Sequence, residues 1–379
     1  MSPEVTGWRR WLHQNPELLF DLPKTAKYVA ERLREIGVDE IHEGIAQTGM
    51  VAIIHGREKG PAIGLRADMD ALPMDEESGV EHSSQTPGKM HACGHDGHTA
   101  MLLGAAKYLV ETRNFAGTAV LIFQPAEEGG GGGDVMVKEG IMDRFDVKEV
   151  YGMHNAPGLP LGQFALRKGA LLAAADFFDI VVTGKGGHAA RPHHCKDPIL
   201  AATACITGFQ SIISRYTDPI ENGVLSVTAI TSGSTYNVIP PHAHIKGTVR
   251  ALHEATRQTI ADRMQDVCDG VSKMYGMEIE LKYKPLYPVT FNHSDNTEFA
   301  GDHAASIVGE ENVDRDCPPR MGGEDFSFML LSRPGAMIYL GNGDTAGVHH
   351  PAYDFNDDAI PFGVEYWVKT IETRIPAQA

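Results

Sequence analysis

The chain predicts an α/β protein with a mainly parallel sheet, interrupted by a smaller inserted α+β domain. Three observations predict it. Four short apolar runs are separated by helical stretches, metal-type polar side chains follow each run, and the middle third of the chain has a different, alternating rhythm. At 379 residues the chain exceeds what one hydrophobic core usually supports, so two domains are expected.

The runs are Ala62–Leu65, Ala119–Phe123, Val150–Met153 and Ala336–Leu340. Each is continuous rather than alternating, as strands buried on both faces are. Between the first two, residues 99–112 place Met101, Ala105, Leu109 and Leu102, Ala106, Val110 at spacing four, one apolar helical face. Such strand–helix alternation implies parallel pairing. Asp68 and Asp70 follow the first run, Glu127 and Glu128 the second, His154 the third, and His349 and His350 the fourth. Ligands of open α/β sheets bind beyond the carboxyl ends of the strands, so these residues mark one site. In the middle third, Phe177–Val182, Gly223–Thr231 and His242–Ala251 alternate as strands. Asp197–Ile213 and Glu254–Tyr275 are helical, and Glu278–Lys284 closes the series. The order β-α-β-β-α-β fits a ferredoxin-like domain over 176–285, leaving a discontinuous catalytic domain of 1–175 and 286–379. The glycine run Gly129–Gly133 reads as a flexible loop.

A formal charge of −17 with no basic stripe argues against nucleic acid or an anionic membrane as partner. Five scattered cysteines suit a reducing compartment better than a disulfide framework. The start, MSPEVTGWRRWLHQNPEL, lacks the apolar core of a signal peptide. The longest apolar stretch, Ala170 to Val182, is interrupted by Asp176 and Asp179 and is too short to span a bilayer. A cytoplasmic location is expected. No G-x-S-x-G elbow or Walker loop occurs, and GNGDTA at Gly341–Ala346 precedes GVHHP rather than a helix, so it is no dinucleotide fingerprint.

The densest chemistry is HACGHDGH, His91 to His98. Cys93 and His95 supply thiolate and imidazole, the donors first-row metals favour. A structural zinc knuckle needs a second such cluster, and the chain offers carboxylates instead, Glu127 and Glu128 in QPAEEG. Mixed donors with one spare carboxylate point to a catalytic metal centre with an open position and a general base. A purely structural or regulatory metal site has no use for that extra carboxylate. Asp96 reads as a helix N-cap, and His91 and His98 as supporting or surface residues.

Taken in order, GLRADMDALP, MHACGHDGHTAMLLGAA, QPAEEG, GMHNAP, GKGGHAARPH, NVIP, GTVR, MGGEDFSF and HHPAYDFND resemble the aminoacylase/hippurate hydrolase family of metal-dependent amidohydrolases. That group includes plant hydrolases of indoleacetyl amino acids and, more distantly, glutamate carboxypeptidase and succinyl-diaminopimelate desuccinylase. The resemblance implies two divalent ions per chain bridged by Cys93, where the carboxypeptidase relatives use an aspartate. His95 and His154 then complete one ion's protein ligands. Glu128 and His349 complete the other's, with the adjacent His350 as the competing choice. Asp70 orients a ligand and Glu127 is the general base. Zinc or manganese suits this set, as do cobalt and nickel. The inserted domain becomes a lid and dimerisation domain, giving a homodimer or higher homo-oligomer, with His188 presented to the scissile carbonyl, in dimeric relatives across the subunit boundary. Asn237 approaches the carbonyl oxygen or the substrate carboxylate. Arg250 is a clamp for that carboxylate or one charge on a sheet face, and Gly323, with Gly322 and Glu324, shapes the pocket floor. Met321 and Phe326 read as core. The implied activity is hydrolysis of N-acyl amino acids; the alternative is a dipeptidase or carboxypeptidase using the same ions.

Overall fold

All four apolar runs lie side by side at the centre of an eight-stranded sheet. The structure, a computed structural model, describes residues 2–377. The sheet order is Glu40–Ile45, Gly49–His55, Ala116–Gln124, Glu58–Asp68, Val147–Ala156, Gly335–Gly341, Phe164–Ala165, Val313–Asp314. The central pairings are parallel, with Leu65 opposite both Leu121 and Tyr151, and Ile338 opposite Met153. Gly49–His55 and Glu40–Ile45 extend one side as antiparallel strands. Ile63, Leu65, Leu121, Phe123, Met153 and Ile338 are buried, which is why the runs lack polar alternation. Each such side chain contributes about 1.5–3 kcal/mol through burial.

The helix predicted over 99–112 spans His95–Thr112. Its burial is wider than one stripe: Leu103 and Gly104 are enclosed along with Met101, Leu102, Ala105 and Ala106, because the helices Ser2–Gln14 and Ile360–Arg374 also pack on it. The glycine run is not a flexible loop throughout. Gly131 caps the helix Gly132–Lys138, and Gly132 is required by packing, since a Cβ there would stand 1.7 Å from the carbonyl oxygen of Pro125.

The chain divides into two compact units. One comprises the chain up to Leu171, Phe291–Pro318 and the chain from Asp325 onward; the other is Leu172–Thr290 with Pro319–Glu324. The second unit holds a four-stranded antiparallel sheet in the order Gly223–Ser232, His242–Ala251, Ala174–Thr183, Glu278–Tyr287. The helices Pro198–Tyr216 and Glu254–Tyr275 bury Cys205, Phe209, Ile260 and Met264 against its Phe178, Ile180 and Val182. Asp197 caps the first of these helices by accepting the Ile199 N–H at 2.9 Å, with Pro198 in the first turn. The strand Gly223–Ser232 departs from the expected alternation. It is an edge strand, and its Val224 and Ile230 are exposed. Among the described residues no helix is long and apolar enough to cross a membrane.

Candidate metal centre

Cys93, His95, Glu127, Glu128, His154 and His349 all come from the first unit. Two of their carriers are regular elements: His95 opens the helix His95–Thr112, and His154 lies near the end of the strand Val147–Ala156. The others sit on irregular chain. Gly94 lets Cys93 and His95 turn into one site; its φ is +93°, and a Cβ there would stand 2.2 Å from Asn155 Oδ1. Ala126, just before the glutamates, and His349 itself are left-handed without being glycine (φ +56° and +63°), a strained conformation that clusters at functional sites.

Donor atoms converge in two triads that share Cys93: Cys93, His95, His154 and Cys93, Glu128, His349, each with all three atoms within 4.8 Å of one another. Cys93 Sγ is 3.4 Å from His154 Nε2, and Glu128 Oε1 is 3.3 Å from His349 Nε2. Ligands about 2.1 Å from a tetrahedral ion stand roughly 3.4 Å apart, so these separations fit one. A further group joins His95, Glu127 and Glu128. His350 takes no part; its Nδ1 accepts the Ala352 N–H in an exposed turn.

Hydrogen bonds leave the right ring nitrogens to ligate. His95 Nδ1 donates to the Asp70 carbonyl at 2.8 Å, and its buried Nε2 has no hydrogen-bond partner among the described residues. His154 Nδ1 donates to the Asn155 carbonyl at 2.7 Å. Such bonds fix the tautomer of metal-binding imidazoles. Asp70 also accepts the backbone N–H of Glu127 at 3.0 Å and of Glu128 at 3.1 Å, holding the turn that presents both. The donor set is strongly anionic. Burial and then Glu128, Glu127 and Asp68 push the Cys93 thiol well above its usual range. Burial acts to lower His95, but Asp68, Asp70 and Glu128 outweigh it and raise the imidazole to about 10. Both shifts are those of a site whose charges call for a cation.

One residue departs from the sequence reading, and for two others the structure separates the alternatives. Asp96 is not a cap: Gly94 occupies the N-cap, and Asp96, fully buried, binds Arg9 Nε at 2.8 Å and His13 Nδ1 at 2.8 Å. Of the two readings for His91 and His98, supporting or surface, the surface one is excluded, since both are buried. His98 bridges strands, with Nδ1 2.6 Å from Asp68 Oδ1 and Nε2 accepting the Asn155 N–H at 3.0 Å. Asp68 in turn accepts from Arg66 at 2.7 Å.

The remaining predicted residues lie in the second unit. His188 is exposed, paired across a short two-strand ladder with Val238, and its Nδ1 accepts the Ala190 N–H at 3.1 Å. Asn237 is its neighbour, accepting the Ala189 N–H at 3.0 Å through its carbonyl. Arg250 is half-buried and donates to the Thr248 hydroxyl and the Val249 carbonyl. No ion pair engages it among the described residues, because Asp176 is taken by Arg257 (2.6 and 2.8 Å) and the Tyr283 hydroxyl. Gly323, in the segment Pro319–Glu324, packs where a Cβ would stand 2.8 Å from that of Ala175. Phe326, in the first unit, is core as read, whereas Met321 is only partly buried.

Residues 64–373 match the family described as Peptidase family M20/M25/M40, and the chain belongs to that family. It is 41% identical over 369 residues to hippurate hydrolase of Campylobacter jejuni, covering 97% of this chain and 96% of that one. It is 41% identical over 347 residues to thermostable carboxypeptidase 2 of Saccharolobus solfataricus, covering 89% and 86%. A solved dinuclear metal-binding peptidase of family M20 from Bacillus subtilis matches with a TM-score of 0.87 and 34% identity, over 99% of this chain and 98% of that one. The chain is thus a hydrolase of the M20 type.

Proposed function

We propose that this chain hydrolyses the amide bond of N-acyl amino acids at two divalent ions, held by Cys93, His95 and His154 and by Cys93, Glu128 and His349. The observation that carries the reading is that one thiol belongs to both donor triads. Each triad leaves a coordination position open, which a structural site would close. Hippurate, the substrate named for the Campylobacter relative, is itself an N-acyl amino acid. Two bound cations lower the pKa of a water and polarise a carbonyl oxygen at neutral pH. Glu127 takes one proton from the attacking water and delivers it to the departing nitrogen. Water thereby adds across the C–N bond, giving a carboxylate and a free amino acid. Zinc or manganese suits the thiolate, imidazole and carboxylate donors, with cobalt or nickel as further candidates.

In this reading the second unit is a lid. His188 faces the scissile carbonyl, Asn237 lies beside it, Gly323 shapes the pocket floor, and Arg250 clamps the substrate's free carboxylate. That no ion pair engages Arg250 among the described residues supports that role. The same unit pairs two copies of the chain: the edge strand Gly223–Ser232 offers unpaired backbone groups beside exposed Val224 and Ile230. Five free cysteines suit a reducing, cytoplasmic setting.

A carboxypeptidase is the second reading, favoured by the Saccharolobus relative. The C-terminal residue of a peptide presents the same amide and the same free carboxylate. One panel separates them. Protein stripped by a chelator is reloaded with zinc, manganese, cobalt or nickel and assayed on N-acetyl, N-benzoyl and peptidyl amino acids. Loss and recovery of activity with two ions per chain is expected, with acyl substrates turned over faster than peptides. Full activity in metal-free protein would refute the mechanism.

A further inference from the structure

We infer that Arg9, on the first helix of the chain, is a positioning residue for the ion held by Glu128 and His349. The inference rests on the dinuclear reading above. Its observation is independent of the donor atoms: a fully buried guanidinium ties the first turn of the helix that follows Cys93 to the loop that follows His349. Arg9 Nε donates to Asp96 Oδ2 at 2.8 Å, three residues from Cys93. Its Nη2 donates to Asp354, five residues after His349, and its Nη1 stands 3.5 Å from Asp357. Phe355 lies under the guanidinium at 5.7 Å.

The asymmetry of the two triads says which ion depends on this staple. His95 and His154 are fixed by a helix and a strand whose own ladders hold them. Glu128 and His349 have no such ladder. The His349 backbone sits at φ +63°, a conformation that persists only where its surroundings enforce it. The His349 N–H donates to the Ala92 carbonyl at 2.7 Å, so the His349 loop rests directly on the Cys93 segment. Arg9 joins the same two stretches of chain a few residues further along each, at Asp96 and at Asp354. Asp96 keeps His13 at 2.8 Å if Arg9 is lost, and Asp357 keeps Arg10 at 2.9 Å. Among the described residues, the Asp354 carboxylate keeps a single ion pair, with His82 at 3.2 Å. The His349 loop is therefore the side released. Lysine preserves the charge but cannot reach three carboxylates with one planar fork.

The test titrates metal-stripped full-length protein with Mn²⁺, following heat by calorimetry and ion pairing by electron paramagnetic resonance. Wild type takes up two ions and gives the spectrum of a coupled pair. Arg9→Lys binds the first ion as wild type does and the second at least tenfold more weakly, with isolated-ion spectra at one equivalent and beyond. Asp354→Asn, altered at a side chain that is 29% exposed and so tolerant of substitution, shows the same selective loss, and the double variant is no worse than either single one. Unchanged second-ion affinity in Asp354→Asn, or equal weakening of both ions in both variants, overturns the inference while the two-ion wild type leaves the dinuclear reading standing. A wild type that binds a single ion overturns both.

Discussion

Asp70→Asn is the sharpest probe of how the glutamate turn is held. Asp70 is buried; its Oδ1 accepts the N–H of Glu127 at 3.0 Å and stands 3.5 Å from His95 Nδ1, and its Oδ2 accepts the N–H of Glu128 at 3.1 Å. Asparagine retains one acceptor and turns an NH₂ group toward the other N–H. A hydrogen bond to a charged acceptor is worth about 1.5–3 kcal/mol, and a buried donor left without an acceptor costs about 1–3 kcal/mol more. Against this, burial works against the charged form of Asp70 and raises its pKa, so the neutral amide recovers part of the loss. The net is roughly 2–4 kcal/mol, divided between global stability and displacement of the turn. A displacement of about 1 Å at reacting groups costs about 10²-fold in rate. Turnover, ion content by elemental analysis and urea unfolding measure the three consequences. A variant with turnover within threefold of wild type and an unchanged urea midpoint would show that the turn does not depend on Asp70.

Glu127→Gln should keep both ions and lose about 10²–10⁴ in rate, whereas Glu128→Gln should also lose ion affinity; metal analysis showing the opposite pattern would exchange their roles. Arg250→Ala should lower kcat/KM for N-acyl amino acids about 10²-fold and leave the matching N-acyl amino-acid amides nearly unaffected, because amides lack the charge the guanidinium pairs with; equal losses would mark a structural arginine. His13 gives a pH signature: burial opposes its charge, but Asp96 and Glu76 outweigh it and raise its pKa from 6.5 to about 9. Its stabilisation is therefore complete below pH 6.5 and lost as pH rises through 9, about 3 kcal/mol in all. Urea unfolding at pH 6 and 9.5 should show that decline in wild type and not in His13→Gln; an equal decline in both would assign it elsewhere.

The central strands were legible because burial on both faces leaves unbroken apolar runs, a local signal that needs no partner to be read. The donors after them were legible for a similar reason: thiol, imidazole and carboxylate are rare enough together that position after a strand gives them meaning. What local pattern could not supply was pairing over distance. Asp96 looked like a cap because its partner Arg9 lies 87 residues away. A signal for it was nonetheless present. Val5, Trp8 and Leu12 form the buried face of the first helix, and Arg9 and His13 fall on that same face at spacing four, where a charge needs a buried partner. The glycine run misled in the opposite sense, since glycine serves close approach as well as freedom, and only the neighbouring Pro125 carbonyl distinguishes the two.

On the proposed reading, the two triads divide the work of a reactive centre in a way that follows from their carriers. His95 is wholly buried and held by a helix, whereas the side chain of His349 is about half exposed and held by a loop. A centre built only from the first kind would be rigid but closed to water and substrate. Built only from the second, it would be accessible but too loose to hold its donors within the few tenths of an ångström that coordination demands. Sharing Cys93 joins the halves, so the triad with His95 fixes the position of the thiol from which the triad with His349 is measured. Glu128, Glu127 and Asp68 crowd negative charge on that thiol, and in the proposed reading bound cations offset it. On that reading, stability is exchanged for a site whose charges are already arranged for the ions and the chemistry they support.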